Sequence, residues 1–390
     1  VTPVAASTIL VVDDNAMNRD LLSRRLRRDG HAVEVAEHGR EAIERLMAAS
    51  YDLVMLDIMM PEMNGYEVLA YLKADAVLRH IPVIMITAID DADSVVRCIE
   101  LGAEDHLPKP FNPHVLRARV TASLAKKQLH DREQLYARSL ERELEIGREI
   151  QVGFLPDTLP APEGWDIAAH FAPARQVAGD FFDAFPLNDG RVGLVLADVC
   201  GKGVGAALFM ALFRTLVRAV SEQRFASGAP RADDLRATIA STNDYIARTH
   251  GSANMFATIF FAALDPATGA LEYVNAGHEP PVVLQRAGGH RRLAPTGPAV
   301  GLMPGLPFTV GQEVLAHGET LVAFTDGVTD ARSAAGTEFT EARFLTLMQE
   351  PAPSSAALLG RVSDALAAHA AGTEPFDDVT LLAVGRLVRA

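Results

Sequence analysis

From Thr8 to about Ser123, short runs of consecutive β-branched and apolar residues alternate with amphipathic stretches. The runs are Ile9-Leu-Val-Val, Ala32-Val-Glu-Val, Leu53-Val-Met-Leu, Val83-Ile-Met-Ile and a weaker one around His106-Leu107. A run that is apolar at consecutive positions suits a strand buried on both faces, as in a parallel sheet covered by helices. Five strands alternating with five helices predict a doubly wound (βα)5 α/β domain over residues 1–122. Such a sheet binds its ligands at the carboxyl ends of the strands.

The pattern then changes. Residues 123–155 are rich in helix formers, carry six basic and six acidic residues and hold no proline before Pro156, which predicts one long helix continuing the last helix of the first domain. Its apolar positions, Leu129, Tyr136, Leu140, Leu144, Gly147, Ile150 and Phe154, recur every three, four or seven residues. This stripe has no clean heptad register, but it predicts a partner helix and hence a coiled-coil homodimer through the linker. Residues 156–390 mix period-two runs such as Phe256-Ala-Thr-Ile-Phe-Phe-Ala-Ala-Leu with helical stretches at about 203–221 and 232–249 and near 340 and 355. Gly and Pro cluster between 276 and 311, as in hairpin loops. Two antiparallel sheets with helices packed on them fit this segment.

Charge and composition narrow the functions. The 36 basic and 50 acidic side chains leave −14, distributed as −6, 0 and −8 over the three segments. The longest basic cluster, Arg24, Arg25, Arg27 and Arg28, lies on one early helix, so neither nucleic-acid binding nor a DNA-binding output is expected. The cysteines, Cys98 and Cys200, offer neither a disulfide framework nor a zinc spacing, which fits a reducing compartment. No apolar stretch reaches the roughly 20 residues of a spanning helix, and Val1-Thr-Pro-Val-Ala lacks a charged region followed by an apolar block. A cytoplasmic protein without membrane contact is expected.

Asp13 and Asp14 follow the first predicted strand, Asp57 the third, Thr87 the fourth and Lys109 the fifth. Carboxylates converging at strand ends repel one another unless a hard divalent cation joins them, and oxygen-only ligands favour Mg²⁺. With a lysine ammonium, that charge would neutralise an incoming phosphoryl group and leave Asp57 as its acceptor. An Asp after a strand is often only a helix cap, but five suitable residues at strand ends are not explained that way. The segment resembles the receiver domain of two-component response regulators, through Asp13-Asp14, Leu56-Asp-Ile-Met-Met-Pro-Glu-Met-Asn-Gly, Thr87-Ala88 and Lys109-Pro-Phe. The resemblance implies that Asp14, Asp57 and the Met59 carbonyl hold Mg²⁺, with Asp13 acting partly through water. It also implies that Thr87 and Lys109 contact the phosphoryl oxygens, and that a histidine kinase or another phosphodonor is the partner. His106 stands where the family has a switch aromatic.

The last segment carries Gly179-Asp-Phe-Phe-Asp183, Ala197-Asp198-Val-Cys-Gly-Lys-Gly-Val-Gly205, Thr325-Asp326-Gly-Val-Thr-Asp330 and Asp377-Asp378-Val-Thr-Leu. Each places an Asp beside a strand-like run. Carboxylates without His or Cys argue for Mg²⁺ or Mn²⁺, and two such ions would activate water against a phosphate ester. These motifs resemble the metal-dependent PPM (PP2C-like) serine/threonine phosphatases, in particular the RsbU/SpoIIE-like branch. The resemblance includes Ile146-Gly-Arg-Glu-Ile-Gln-Val-Gly-Phe-Leu-Pro, Asn275-Ala-Gly-His-Glu-Pro-Pro and Gly301-Leu-Met-Pro-Gly.

That resemblance implies an α+β sandwich flanked by helices and two Mn²⁺ or Mg²⁺ ions. Asp198 would bridge the ions, the Val199 carbonyl would bind one, and Asp326 and Asp377 would complete the site. Asp183 is assigned as a further ligand or supporting acid, and Asp180 as another member of the group. The arginine that many relatives carry five residues before the Asp183 equivalent is here Ala178, while Arg175 is expected at the surface. His278 is expected to organise its loop, Lys202-Gly203 to form a tight turn, and Met210, Phe213 and Cys200 to be core. The implied function is a response regulator whose phosphorylation at Asp57 controls a phosphoserine/phosphothreonine protein phosphatase. The implied substrate is a phosphorylated STAS-type anti-sigma-factor antagonist. The alternative is a phosphatase fold that has lost hydrolysis and serves as an adaptor for a sigma-factor regulator.

Overall fold

The structure is a computed structural model that describes residues 6–88, 92–225 and 231–388. The start, Val1 to Ala5, read above for a leader, lies outside the described residues. The chain divides into two compact units, Val1–Leu140 and Glu141–Ala390.

In the first unit the elements alternate as β1 (Thr8–Val12), α1 (Ala16–Arg28), β2 (Ala32–Ala36), α2 (Gly39–Ala48), β3 (Leu53–Asp57), α3 (Gly65–Ala74), β4 (Val83–Ala88), α4 (Ala92–Glu100), β5 (Asp105–Lys109) and the start of α5 (Pro113–Val152). The sheet is parallel throughout in the order β2-β1-β3-β4-β5. Alternate residues of each strand face opposite helix layers: Leu10, Val12, Val54 and Leu56 face one core, Ile9, Val11, Leu53 and Met55 the other. Both faces are therefore apolar, which is why the runs lack alternation. Local chemistry sets the helix starts. Asn15 caps α1, and Asn64 with Glu67 forms a capping box on α3.

The expected boundary at 122/123 falls inside α5, a single 40-residue helix. It ends at Val152, and turns through Leu155 precede Pro156. The apolar stripe stays open to solvent at Leu129, Tyr136, Leu140 and Ile150.

The second unit contains β6 (Trp165–Ala172), β7 (Phe181–Pro186), β8 (Val192–Val199), α6 (Val204–Arg224), α7 (Arg231–His250), β9 (Ala257–Leu264), β10 (Ala270–Ala276), β11 (Val282–Leu284), β12 (His290–Arg292), β13 (Gly311–Val314), β14 (Thr320–Phe324), α8 (Glu341–Gln349), α9 (Ser355–His369) and β15 (Val379–Arg386). Two five-stranded antiparallel sheets form, β13-β10-β9-β8-β7 and β12-β11-β14-β15-β6. Period-two alternation then builds four layers. Phe181, Val195 and Phe261 pack on Met210, Phe213 and Val217 of α6. Phe182, Leu194 and Phe260 face Leu382 and Val384 across the sandwich. On the far side Phe324 and Leu381 meet Phe344 and Val362 of α8 and α9. Each fully buried side chain of this size contributes about 1.5–3 kcal/mol over its exposed state.

One expectation needs correction: α6 spans 21 residues and is long and apolar enough to cross a membrane. Ala206, Met210, Phe213, Val217 and Ser221 bury one of its faces in the unit's own core instead.

Candidate functional site

The first unit gathers Asp13, Asp14 and Asp57 so that carboxylate oxygens of all three lie within 4.8 Å of one another. Parallel strands put their carboxyl ends on one edge, so neighbouring β1 and β3 deliver these acids side by side. Lys109, from the end of β5, places its ammonium 3.0 Å from both Asp13 Oδ2 and Asp57 Oδ1. Burial pushes the Asp57 pKa up to about 6, with Asp13 adding to the rise and Lys109 opposing it. Thr87 is buried at the end of β4, one residue before the Ala88–Lys109 register pair. Asp14 is exposed, and so is Met59, two residues past Asp57. Gly65 is required where it stands: a Cβ there would lie 2.2 Å from the Asp57 carbonyl oxygen.

The sequence reading missed the two side chains that fix the acidic edge. Asn18 Nδ2 donates to Asp13 at 3.1 Å, and Arg19 Nη1 donates to the Asp13 and Asp14 carbonyls at 2.8 and 3.0 Å. Their position one helical turn after the acids was the available signal. His106, in β5, is half-buried with Nδ1 3.8 Å from Asp105, which in turn pairs with Arg119.

The second acidic cluster stands where the two sheets of the sandwich end together. On β8 the odd positions Val195, Ala197 and Val199 face α6, whereas Leu194 and Leu196 face the other sheet. Asp198 shares the latter parity. Asp326 follows β14, and Asp377 precedes β15, its neighbour in the opposite sheet. Burial, then Asp326 and Asp377, push the Asp198 pKa up to about 6. Asp326 is likewise raised by burial and by Asp377, and Asp330 adds to that field. Asp377 is held by Lys202, whose ammonium lies 2.8 Å from Oδ2 and donates to the Phe376 carbonyl at 2.6 Å. Asp198 and Asp377 are half-buried and Asp326 reaches solvent, so the three carboxylates raise one another's proton affinity at a site open to water.

Asp183 does not join this cluster. Its odd parity turns it toward α6, where Arg218 grips both oxygens at 2.6 and 2.7 Å and Arg214 Nε lies 3.0 Å away. Asp180 lies next to Asp198. Fully buried at the start of β7, it accepts from Thr325 Oγ1 at 2.8 Å and Thr380 Oγ1 at 2.7 Å. Burial and Asp198 raise its pKa well above the carboxylate range. Measured from Asp180 rather than Asp183, the residue five positions earlier is Arg175, which is exposed as expected. Asp378, paired with Asp377 in sequence, is structural: its oxygens accept from the Ala174 and Gly179 amides, both at 2.8 Å. Gly179 itself has no room for a side chain, since a Cβ would lie 2.7 Å from the Val199 carbonyl oxygen.

The remaining residues are supporting. His278 is buried, its Nδ1 2.8 Å from Thr258 Oγ1 and its amide bonded to Asn275 Oδ1, and burial lowers its pKa to about 4. It orders the loop as a neutral ring. Gly201 and Gly203 take φ of 90° and 81°, which L side chains rarely adopt, and make the tight turn that carries Lys202 into α6. Met210 and Phe213 are core, but Cys200 is only half-buried, its Sγ accepting from the Phe256 amide at 3.3 Å.

Residues 9–121 match the family model of the response regulator receiver domain, and residues 188–387 match that of stage II sporulation protein E (SpoIIE). Protein IcfG of Synechocystis is 42% identical over 262 residues, covering 63% of this chain and 41% of the relative. The transcriptional regulatory protein CpxR homolog of Haemophilus influenzae is 44% identical over 118 residues, covering 30% of this chain and 50% of that protein. The chain thus spans half or less of the length of these relatives. The SiaA-PP2C domain of Pseudomonas aeruginosa shares the fold, with a TM-score of 0.54 at 21% identity over 64% of this chain and 97% of that one. By the extent of its match the chain belongs to the SpoIIE family, and a response regulator receiver domain precedes that family's domain.

Proposed function

We propose that this chain is a cytoplasmic response regulator whose output is a metal-dependent phosphoserine/phosphothreonine protein phosphatase. The observation that carries the reading is the convergence of Asp198, Asp326 and Asp377, with buried Asp180 behind them, at one end of the sandwich. Two Mn²⁺ or Mg²⁺ ions, held by Asp198, the Val199 carbonyl, Asp326 and Asp377, would supply a water of lowered pKa and neutralise phosphoryl charge. Asp180, pinned by two threonine hydroxyls, orients Asp198. With Ala178 where many relatives carry an arginine and Arg175 exposed, the grip on the phosphate falls to the ions. The test is hydrolysis of p-nitrophenyl phosphate: turnover that needs Mn²⁺ or Mg²⁺ and disappears with chelator and in Asp326→Asn supports the reading. Turnover retained in that variant contradicts it.

At the receiver, Asp57 accepts the phosphoryl group from a histidine kinase or another donor. Lys109 and Thr87 receive its oxygens, and Mg²⁺ would sit among Asp14, Asp57 and the Met59 carbonyl, with Asp13 behind. The modification shifts the receiver's conformational population, and the continuous α5, dimerised through its open apolar stripe, carries the change to the phosphatase. The substrate assigned by family resemblance is a phosphorylated STAS-type anti-sigma-factor antagonist. The adaptor reading, in which the fold binds a sigma-factor regulator without hydrolysis, has no need of the acids that this chain retains.

A further inference from the structure

Beside the acidic cluster the second unit holds a cavity of about 240 Å³, and the cluster forms part of its wall: Asp377 and Gly327, the residue after Asp326, both line it. Most of the rest is apolar, with Ala172 at the end of β6, Leu366, Ala367 and Ala370 at the end of α9, and Phe376. Its other polar side chains are His170 and Ser363, which engage each other at 3.2 Å, and Arg332 near the Phe376 ring. The volume falls below the ~300–1,000 Å³ of small-molecule sites. It suits a single side chain.

Phe376 keeps 43% of its surface exposed. The Lys202 ammonium lies 4.8 Å and the Arg332 guanidinium 4.3 Å from its ring centroid. The site therefore offers cations to a phosphate dianion and, directly beyond, an apolar recess. A peptide whose phosphoryl group sits at Asp198, Asp326 and Asp377 can run along the wall that Asp377 shares. At about 3.3 Å per extended residue, the side chain reaching the recess belongs to a position within three of the phosphorylated one.

We propose that this cavity is a specificity pocket for an apolar, leucine-sized side chain flanking the phosphorylated serine or threonine of a protein substrate. The assignment rests on the phosphatase reading above and adds the substrate feature that the site selects. A glycine-rich flank leaves the pocket empty.

The test uses the full chain and a panel of phosphoserine peptides in a glycine/serine background, with one leucine placed in turn from three residues before to three after the phosphoserine. One or two leucine positions should raise kcat/KM about tenfold or more over the leucine-free peptide, mainly through KM. Ala367→Phe and, separately, Ala370→Leu fill the cavity and should bring that ratio near one. Ala367 is exposed on a helix and Ala370 has φ of −85°, so both backbones accept the larger residue. Reading the ratio within each variant removes any change in basal rate. Indifference of the wild-type chain to leucine, or a preference that survives both variants, would overturn the pocket. A chain that hydrolyses neither the peptides nor p-nitrophenyl phosphate would overturn the phosphatase reading instead. Fluorescence anisotropy with the same peptides would then decide the pocket: leucine-selective binding lost in Ala367→Phe supports it, and equal Kd values contradict it.

Discussion

Gln151, in the last turn of α5, forms a two-way clasp with Ala178: its Nε2 donates to the Ala178 carbonyl at 2.6 Å, and the Ala178 amide donates to its Oε1 at 2.9 Å. Gln151 is buried, and two residues beyond Ala178 stands Asp180. The helix end thus fixes the backbone that delivers a buried acid to the cluster. Gln151→Ala leaves both Ala178 groups unpaired, at about 1–3 kcal/mol. We predict a roughly tenfold weaker Mn²⁺ affinity and a blunted response to receiver modification, read by isothermal titration and by hydrolysis rates. Unchanged values for both would reduce the clasp to a fold contact.

Asp183 and Asp180 are predicted to fail differently. Asp183→Ala removes the carboxylate that holds Arg214 and Arg218 together, leaving only Glu222 near Arg218, and should lower stability by about 3 kcal/mol, seen in thermal denaturation. Asp180→Asn mimics the protonated acid that the raised pKa favours, so it should keep the melting temperature within a few degrees while weakening Mn²⁺ binding. Equal melting losses in the two variants would argue against separate roles.

Lys202 occupies an oxygen of Asp377 that the proposed ions also require. A cation entering there must displace the ammonium, and an ion pair this exposed is worth about 1 kcal/mol or less. Lys202→Met should therefore bind Mn²⁺ up to about fivefold more tightly by titration calorimetry. Weaker binding in the variant would mean that the lysine supports the ion rather than competing with it.

The acids also predict a pH dependence. Asp198 and Asp57 each have a pKa near 6, above the ordinary 3.8. Between roughly pH 4 and 6 the native chain binds more protons than the unfolded one, so without metal these groups lose stability as pH rises through that window. Cations bind the ionised form. The increase in melting temperature on adding Mn²⁺ should therefore be larger at pH 7.5 than at pH 5, and equal increments would contradict the coupling.

The strand ends bearing Asp57, Thr87 and Lys109 were legible because a parallel sheet puts every carboxyl end on one edge, so spacing along the chain translates directly into proximity. In the second unit, residue type alone did not separate Asp180 from Asp183. Strand parity does: Phe181 and Phe185 face α6, Phe182 and Ala184 face the opposite sheet, and an acid three residues from another points the other way. Arg214 and Arg218, four apart on one face of α6, are the partners of Asp183 that the sequence reading did not single out. The clasp at Ala178 was hidden because it joins segments 27 residues apart through one glutamine, which no local pattern distinguishes from a surface residue.

The most direct test of receiver-controlled hydrolysis is the rate of p-nitrophenyl phosphate turnover by the full chain in Mn²⁺, with and without beryllofluoride, for the wild type and Asp57→Asn. The account predicts a rate that changes at least threefold with beryllofluoride in the wild type and stays fixed in Asp57→Asn. A wild-type rate indifferent to beryllofluoride, or an equal response in the variant, would contradict it.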